Sequence, residues 1–228
     1  KPAGSAGDND MSQIKTPTRP VWDPLIRIGH WTLVIAFFTA YLSGDDLFNI
    51  HKWAGYVVAA YVLVRIVWGI IGSRHARFTD FVRGPGAVFG YLRGLMTGKV
   101  KDYAGHNPAG GAMVVALLFS LLVTTSSGMA LYAVEDNAGP LAGFVTEETF
   151  APLATAFGEG EEEHERGGGH EESGAEELLE GVHKAFVYIT LALIGLHLAG
   201  VVASSLVHKE NLARAMVTGR KKAPDDEI

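Results

Sequence analysis

Four long apolar runs dominate the chain, at about Pro24 to Ser43, His51 to Gly72, Gly111 to Val134 and Val182 to Val207. Each holds about twenty residues or more, enough for a helix rising ~1.5 Å per residue to cross roughly 30 Å of hydrocarbon. The alternative, buried helices of a large soluble core, fails on supply. Too little polar chain remains to cover such a core. The pattern therefore predicts an all-α fold, an integral membrane four-helix bundle.

Polar residues between the runs sort by sign. Lys15 and Arg19 precede the first run, and Arg27 sits in its first turns. Arg74, Arg77, Arg83, Arg93, Lys99 and Lys101 lie between the second and third. Lys209, Arg214, Arg220, Lys221 and Lys222 follow the fourth. The other two connections are acidic: Asp45 and Asp46 in the first, and about Glu135 to Gly181 in the third, where Arg166 is the only basic residue. Basic loops stay inside, so both termini and the middle connection are expected in the cytoplasm and the two acidic connections outside. Residues 1–10 read as a tag or processing remnant and Met11 as a native start. Residues 11–222 form the four-span domain, 135–181 its acidic external loop, and 223–228 a polar tail. Phe78 to Lys99 mixes aromatic and aliphatic residues with Arg and Gly, as a broken amphipathic helix at the membrane interface would.

Composition narrows the chemistry. Among 228 residues 48% are apolar and 19% charged, and the mean hydropathy is +0.17, which excludes global disorder. No cysteine is present, which removes disulfides, zinc–thiolate sites, iron–sulfur clusters and thioether-attached haem. Metal or redox chemistry must rest on nine histidines or on carboxylates.

Four of the histidines, His30, His51, His183 and His197, belong to the apolar runs, where an ionisable group is costly and marks function by default. His30 lies thirteen residues before Ser43, about 20 Å below the outer surface. His197 lies fourteen residues below His183, about 21 Å. His30 and His197 thus share a level towards the cytoplasm, and His51 and His183 share one near the outer face. Fourteen residues at ~100° each bring His183 and His197 within about 40° of one another, so one helix presents both to the same interior. Two stacked bis-histidine sites in an apolar bundle suit two haem b groups, with both axial positions filled for electron transfer. Zinc would need further ligands close by. The plainer alternative is a set of interhelical or interfacial hydrogen-bonding histidines.

These segments resemble the bacterial di-haem cytochrome b family, which includes the membrane cytochrome subunits of nickel-iron hydrogenases. The resemblance spans about Pro20 to Arg220. It rests on R-I-G-H-W at 27–31, H-K-W-A-G-Y at 51–56, G-H-N-P-A-G at 105–110 and H-K-A-F-V-Y-I-T-L-A-L-I-G-L-H at 183–197. It implies His30 with His197 for a cytoplasmic-side haem and His51 with His183 for an outer one. It also implies electron transfer between a membrane quinone pool and a redox partner such as a cytochrome c or hydrogenase. The long Glu-rich connection is unlike the shorter ones of the family.

Around the expected haems, Arg27 and Arg65 are candidate propionate partners, with a snorkelling role the alternative for Arg65. Lys52 or Lys184 would serve the outer haem or anchor the interface. His106, with Asn107, is a candidate quinone or propionate contact, against a helix-entry role. His75, His164, His170 and His208 are expected at the surface, with a His164–His170 metal site the lesser reading. Ten Glu between Glu159 and Glu180 form either a solvated linker or a dock for a basic external protein. No nucleic-acid partner is expected. Three rival functions remain at this stage: a stand-alone quinone oxidoreductase using a small reductant such as superoxide, a histidine-relay transporter, and a membrane anchor without haem.

Overall fold

The computed structural model describes residues 18–44, 46–98, 103, 105–157 and 173–222. Most of the Glu-rich stretch, with His164 and His170, lies outside the described residues, as do both chain ends. The elements run β1 (Thr18–Pro20), α1 (Pro24–Ser43), α2 (Phe48–Ile71), α3 (Phe78–Phe81), α4 (Pro85–Thr97), α5 (Pro108–Glu135), α6 (Glu147–Phe157), α7 (Gly174–Val207), α8 (Leu212–Thr218) and β2 (Arg220–Lys222). Four of them, α1, α2, α5 and α7, are long and apolar enough to span a membrane.

Caps and prolines set where these helices begin. Asp23 accepts the Ile26 N–H at 2.9 Å, and Asn107 accepts the Gly110 N–H at 2.7 Å, each followed by proline at the first helical position. Ser173 and Glu176 form a reciprocal capping box that starts α7 eight residues before Val182. At 34 residues α7 is about 51 Å long, well beyond a hydrocarbon core of roughly 30 Å. Its first turns therefore project beyond the apolar layer, and α6 packs against them.

The bundle is built from two close helix pairs, α1 with α2 and α5 with α7, joined through α2 and α5. Ala36, Phe37, Val58, Val62, Leu118 and Leu121 form the buried core between them. Gly29 permits the first pair to close, since a Cβ there would sit 1.8 Å from the Tyr61 ring. Outward-facing Ile35, Leu42, Ile70, Phe119 and Leu206 remain exposed, the distribution expected of helices solvated by lipid.

One end of the bundle is tied together. β1 and β2 pair antiparallel, Thr18 opposite Lys222. Asp23 accepts from Trp68 Nε1 at 3.0 Å and from the Ser73 hydroxyl, joining the start of α1 to the end of α2. Lys221 Nζ donates to the Tyr103 carbonyl at 3.1 Å. Residues 18–22, the described residues of the 72–107 connection and residues 208–222 thus share that end. The Phe78–Lys99 stretch is broken as expected, into α3 and α4, and α4 turns Phe89 (71% exposed) and Met96 (89%) outward. Tyr91 pins α4 to the end of α7, its hydroxyl 3.2 Å from His208 Nε2 and 3.4 Å from Ser204 Oγ.

Candidate functional site

Two of the four span histidines come into ring contact. His51, in the first turns of α2, meets His183 of α7 with ring centroids 6.1 Å apart and planes at 66°. Each is held from behind. His51 Nδ1 donates to the Ala40 carbonyl at 2.9 Å, and His183 Nδ1 donates to the Thr124 carbonyl at 2.9 Å. A carbonyl can only accept, so both rings carry their proton on Nδ1 and keep the Nε2 lone pair for another partner. Gly128 makes room for His183: a Cβ there would lie 2.9 Å from Cε1 and 3.0 Å from Nδ1.

Two imidazoles bound across one metal at ~2.0–2.1 Å would have centroids about 6 Å apart. The observed centroid separation of 6.1 Å matches that spacing. The carbonyls behind them fix tautomer and orientation, as partners behind metal-bound histidines do. Among the described residues no group of three or more His, Cys, Asp or Glu could hold a bare metal ion. Two imidazoles, each with a free Nε2 lone pair, are a donor set that could hold a metal carried in a macrocycle.

His30 of α1 and His197 of α7, the expected second pair, are both half-buried. His30 Nδ1 is sealed from solvent and has no partner among the described residues. Arg65, only 5% exposed, lies at the same end of the bundle. Its guanidinium lies over the contacting rings of Phe78 and Phe81, with Cζ 5.2 Å and 5.7 Å from their centroids. Such stacking is worth up to about 2 kcal/mol when desolvated, but it does not satisfy N–H donors. Nη1 of Arg65 has no hydrogen-bond partner among the described residues. A buried cationic donor of this kind is costly until an anion meets it.

His106 sits beside this pair, between Trp22 and Phe81, with both ring centroids 4.5 Å away. Its Nδ1 is buried and unpartnered among the described residues. Burial, with Arg65 and Lys221 adding positive field, pushes its pKa down to about 3, so the ring is neutral at physiological pH. It is a ready hydrogen-bonding group at the edge of the second site.

Other candidates are engaged elsewhere. Arg27 Nη2 donates to the Val217 carbonyl and helps close the tied end of the bundle. Lys52 Nζ points to the Tyr132 hydroxyl at 3.3 Å and lies over the Phe48 and Tyr132 rings. Lys184 pairs with Glu180 at 2.5 Å, one helical turn away. His75 is half-buried, its Nδ1 3.1 Å from Asp80 Oδ2. Sequence reasoning missed Trp22, Phe78, Phe81 and the two carbonyls behind the His51–His183 pair. The small residues Thr124, Thr125, Ser127 and Gly128 were the available signal of a close helix approach.

Comparison with known proteins gives a consistent picture. A family model described as prokaryotic cytochrome b561 matches residues 21–219. A protein named probable Ni/Fe-hydrogenase B-type cytochrome subunit from Azotobacter chroococcum mcd 1 is 24% identical over 96% of this chain and 95% of its own. The protein of the same name from Azotobacter vinelandii is 23% identical with the same coverage. The one from Bradyrhizobium diazoefficiens is 27% identical, over 53% of this chain and 60% of its own length. No solved structure matches the chain.

Proposed function

The chain belongs to the prokaryotic cytochrome b561 family, and from that premise we propose a route for electrons through its bundle. It is a membrane electron carrier of that type, and its family implies haem b. In our reading it holds two haem b groups, one between His51 and His183 and one between His30 and His197. The observation that carries this is the His51–His183 geometry: rings 6.1 Å apart, each with Nδ1 donating to a backbone carbonyl.

Haem supplies one-electron redox chemistry at iron. The chain's own work is placement and environment. His51 and His183 offer Nε2 in fixed orientation. His30 and His197 offer the second pair further along the same helix, α7. The apolar core around Val62 and Leu121 keeps water out of the space between the helices. Arg65 would meet a haem propionate with its orphaned Nη1, and Arg27, whose Nε is likewise buried without a partner among the described residues while its Nη2 donates to Val217, would be the second candidate.

The basic residues gathered at the tied end support our reading that this end, with both termini, faces the cytoplasm of a bacterial inner membrane. The His51–His183 site then faces outward, near the projecting start of α7. The names of the relatives support a hydrogenase-like partner on that side, with a cytochrome c the other candidate. Quinone exchanges at the opposite site, where neutral His106 hydrogen-bonds a quinone oxygen against the apolar wall of Trp22 and Phe81.

The test is haem content and an absorption spectrum of the purified chain. Two haems per chain with a reduced b-type spectrum are expected. His183→Ala and His197→Ala should each lose one, and a different one. A colourless folded protein, or loss of the same haem in both variants, rejects the reading.

A further inference from the structure

Reducing a quinone adds two electrons, which the carrier supplies, and two protons, one at each oxygen. The protons come from water. At the oxygen that His106 holds, the imidazole gives a proton and has to be refilled. His106 stores none of its own, since burial keeps the ring neutral at physiological pH and its Nδ1 is sealed from solvent. A proton donor in touch with water is needed beside it.

The connection after α2 brings one there. Arg74–Ala76 make a single 3-10 turn, and α3 follows. The turn aims His75 at Asp80, with Nδ1 3.1 Å from Oδ2 and the two side chains 26% and 28% exposed. The next residue along α3, Phe81, packs on His106. From the other side Gly105 lies against the His75 ring: a Cβ there would be 3.3 Å from Nδ1. His106 is the residue that follows. The wetted pair and the sealed nitrogen are thus one residue apart along both segments, and the glycine puts no side chain between them.

Other charged groups face His106, but each is held to another task. Arg65 of α2 carries a guanidinium that does not release its proton. Lys221 of β2 donates to the Tyr103 carbonyl at 3.1 Å and pairs with Glu210 at 3.8 Å. His197 of α7 is, in our reading, a haem ligand. Facing the pair itself, Arg74 is 86% exposed and 3.9 Å from Asp80 Oδ1, a weak and solvated contact.

We propose that the His75–Asp80 pair loads protons from water onto His106 for quinone reduction, and unloads them in the reverse reaction. His75 passes a proton across Gly105 to one nitrogen of His106. The other nitrogen releases one to the quinone oxygen, where the O–H bond forms. Asp80 orients the His75 ring and balances its charge in passing. The proposal rests on the quinone placement above.

The test compares two oxidants on the full chain in detergent, with its haems counted and reduced beforehand. A water-soluble quinone analogue takes protons with its electrons; ferricyanide takes electrons alone. His75→Ala and Asp80→Asn should keep haem content and the ferricyanide rate. Both should slow oxidation by the quinone about tenfold or more, and more steeply as pH rises. Imidazole added to the buffer should restore the His75→Ala rate. Asp80→Asn keeps a hydrogen-bonding partner for His75 and covers a folding defect in His75→Ala. A further readout needs no haem: in deuterated water the ring C2 hydrogen of His75 should exchange far faster than that of His106. An unchanged quinone rate, an equal loss with ferricyanide, no rescue by imidazole, or equally fast exchange at His106 overturns the relay. His106→Phe separates this from the reading beneath it. If that variant also keeps the normal quinone rate, the quinone placement is wrong and the relay falls with it. If it is slow while His75→Ala is not, the relay alone falls.

Discussion

The Ser120 and Thr190 hydroxyls lie 2.7 Å apart, with the two residues 1% and 0% exposed, in the centre of the α5–α7 contact. Thr190 also donates to the Phe186 carbonyl at 2.8 Å, which leaves the Ser120 hydroxyl to donate to Thr190. The contact fixes α7, and so both of its histidines, against α5. Interhelical hydrogen bonds in lipid average about 0.6 kcal/mol and reach about 1.7. Thr190→Val and Ser120→Ala are each expected to destabilise the bundle by about 1 kcal/mol. A double-mutant cycle followed by unfolding in detergent should return a coupling of about 0.6 kcal/mol. Strict additivity would remove the bond from the account of α7.

Gly128 sets helix stability against site geometry. Alanine in place of a mid-helix glycine adds about 1 kcal/mol to helix propensity. Yet its Cβ would reach 2.9 Å from His183 Cε1 and push the ring away from His51. Gly128→Ala should leave the fold as stable as before while haem content falls by one per chain. Full haem content in that variant would show that His183 has slack to move.

Asp23 holds three donors at the tied end: Ile26 N–H, Trp68 Nε1 and Ser73 Oγ. Burial alone would raise its carboxyl, but the bonds from Ser73, Ile26 and Trp68 outweigh it and hold the pKa below 3.8. A carboxylate depressed on folding stabilises the folded state fully above its unfolded pKa, and that contribution is lost as pH falls through the folded value. Asp23→Asn keeps the cap and should flatten this acid-side loss. Asp23→Ala also loses the cap, worth about 1 kcal/mol, and leaves Trp68 Nε1 without its acceptor. Thermal midpoints of the three proteins between neutral pH and pH 3 provide the check.

His106 gives the opposite chemistry in a higher window. Its folded pKa of about 3, lowered first by burial, lies below the ordinary 6.5. Between these values the unfolded chain binds a proton that the folded chain refuses, so stability declines as pH falls from 6.5 towards 3. The slope approaches about 1.4 kcal/mol per pH unit well below the upper value. His106→Phe keeps an aromatic ring between Trp22 and Phe81 and should remove that slope. A variant with an unchanged slope between pH 6 and pH 4 would locate the titrating group elsewhere.

Much of this arrangement was legible because membrane helices carry their signal in composition. The four apolar runs became the four long helices, and α1 covers Pro24–Ser43 as expected. Helix starts were less legible, since polar caps set them. The third helix begins at Pro108 behind Asn107, and the fourth at Gly174 behind Ser173, in sequence assigned to an acidic loop. The expectation that His183 and His197 face one interior came from spacing, because 3.6 residues per turn fixes direction as well as height. The acceptors behind His51 and His183 were not legible. A backbone carbonyl has no residue identity, and its position depends on how neighbouring helices cross. The engagement of Arg27 Nη2 by the Val217 carbonyl was not legible either, because α8 is a short helix that hydropathy does not register. The β1–β2 pair was equally hidden, because three-residue strands lack a readable alternation.

That small ribbon also orders events during synthesis. Arg220 bonds Thr18 across 202 residues, and Arg27 reaches Val217 across 190. At about 5–20 residues per second, the ribosome makes the first partner wait on the order of 10–40 s for the second. The α1–α2 hairpin therefore enters the membrane and packs long before its entrance is fastened. Assembly closes like a drawstring, from the tail, after α5 and α7 have been threaded and there is a bundle to tie.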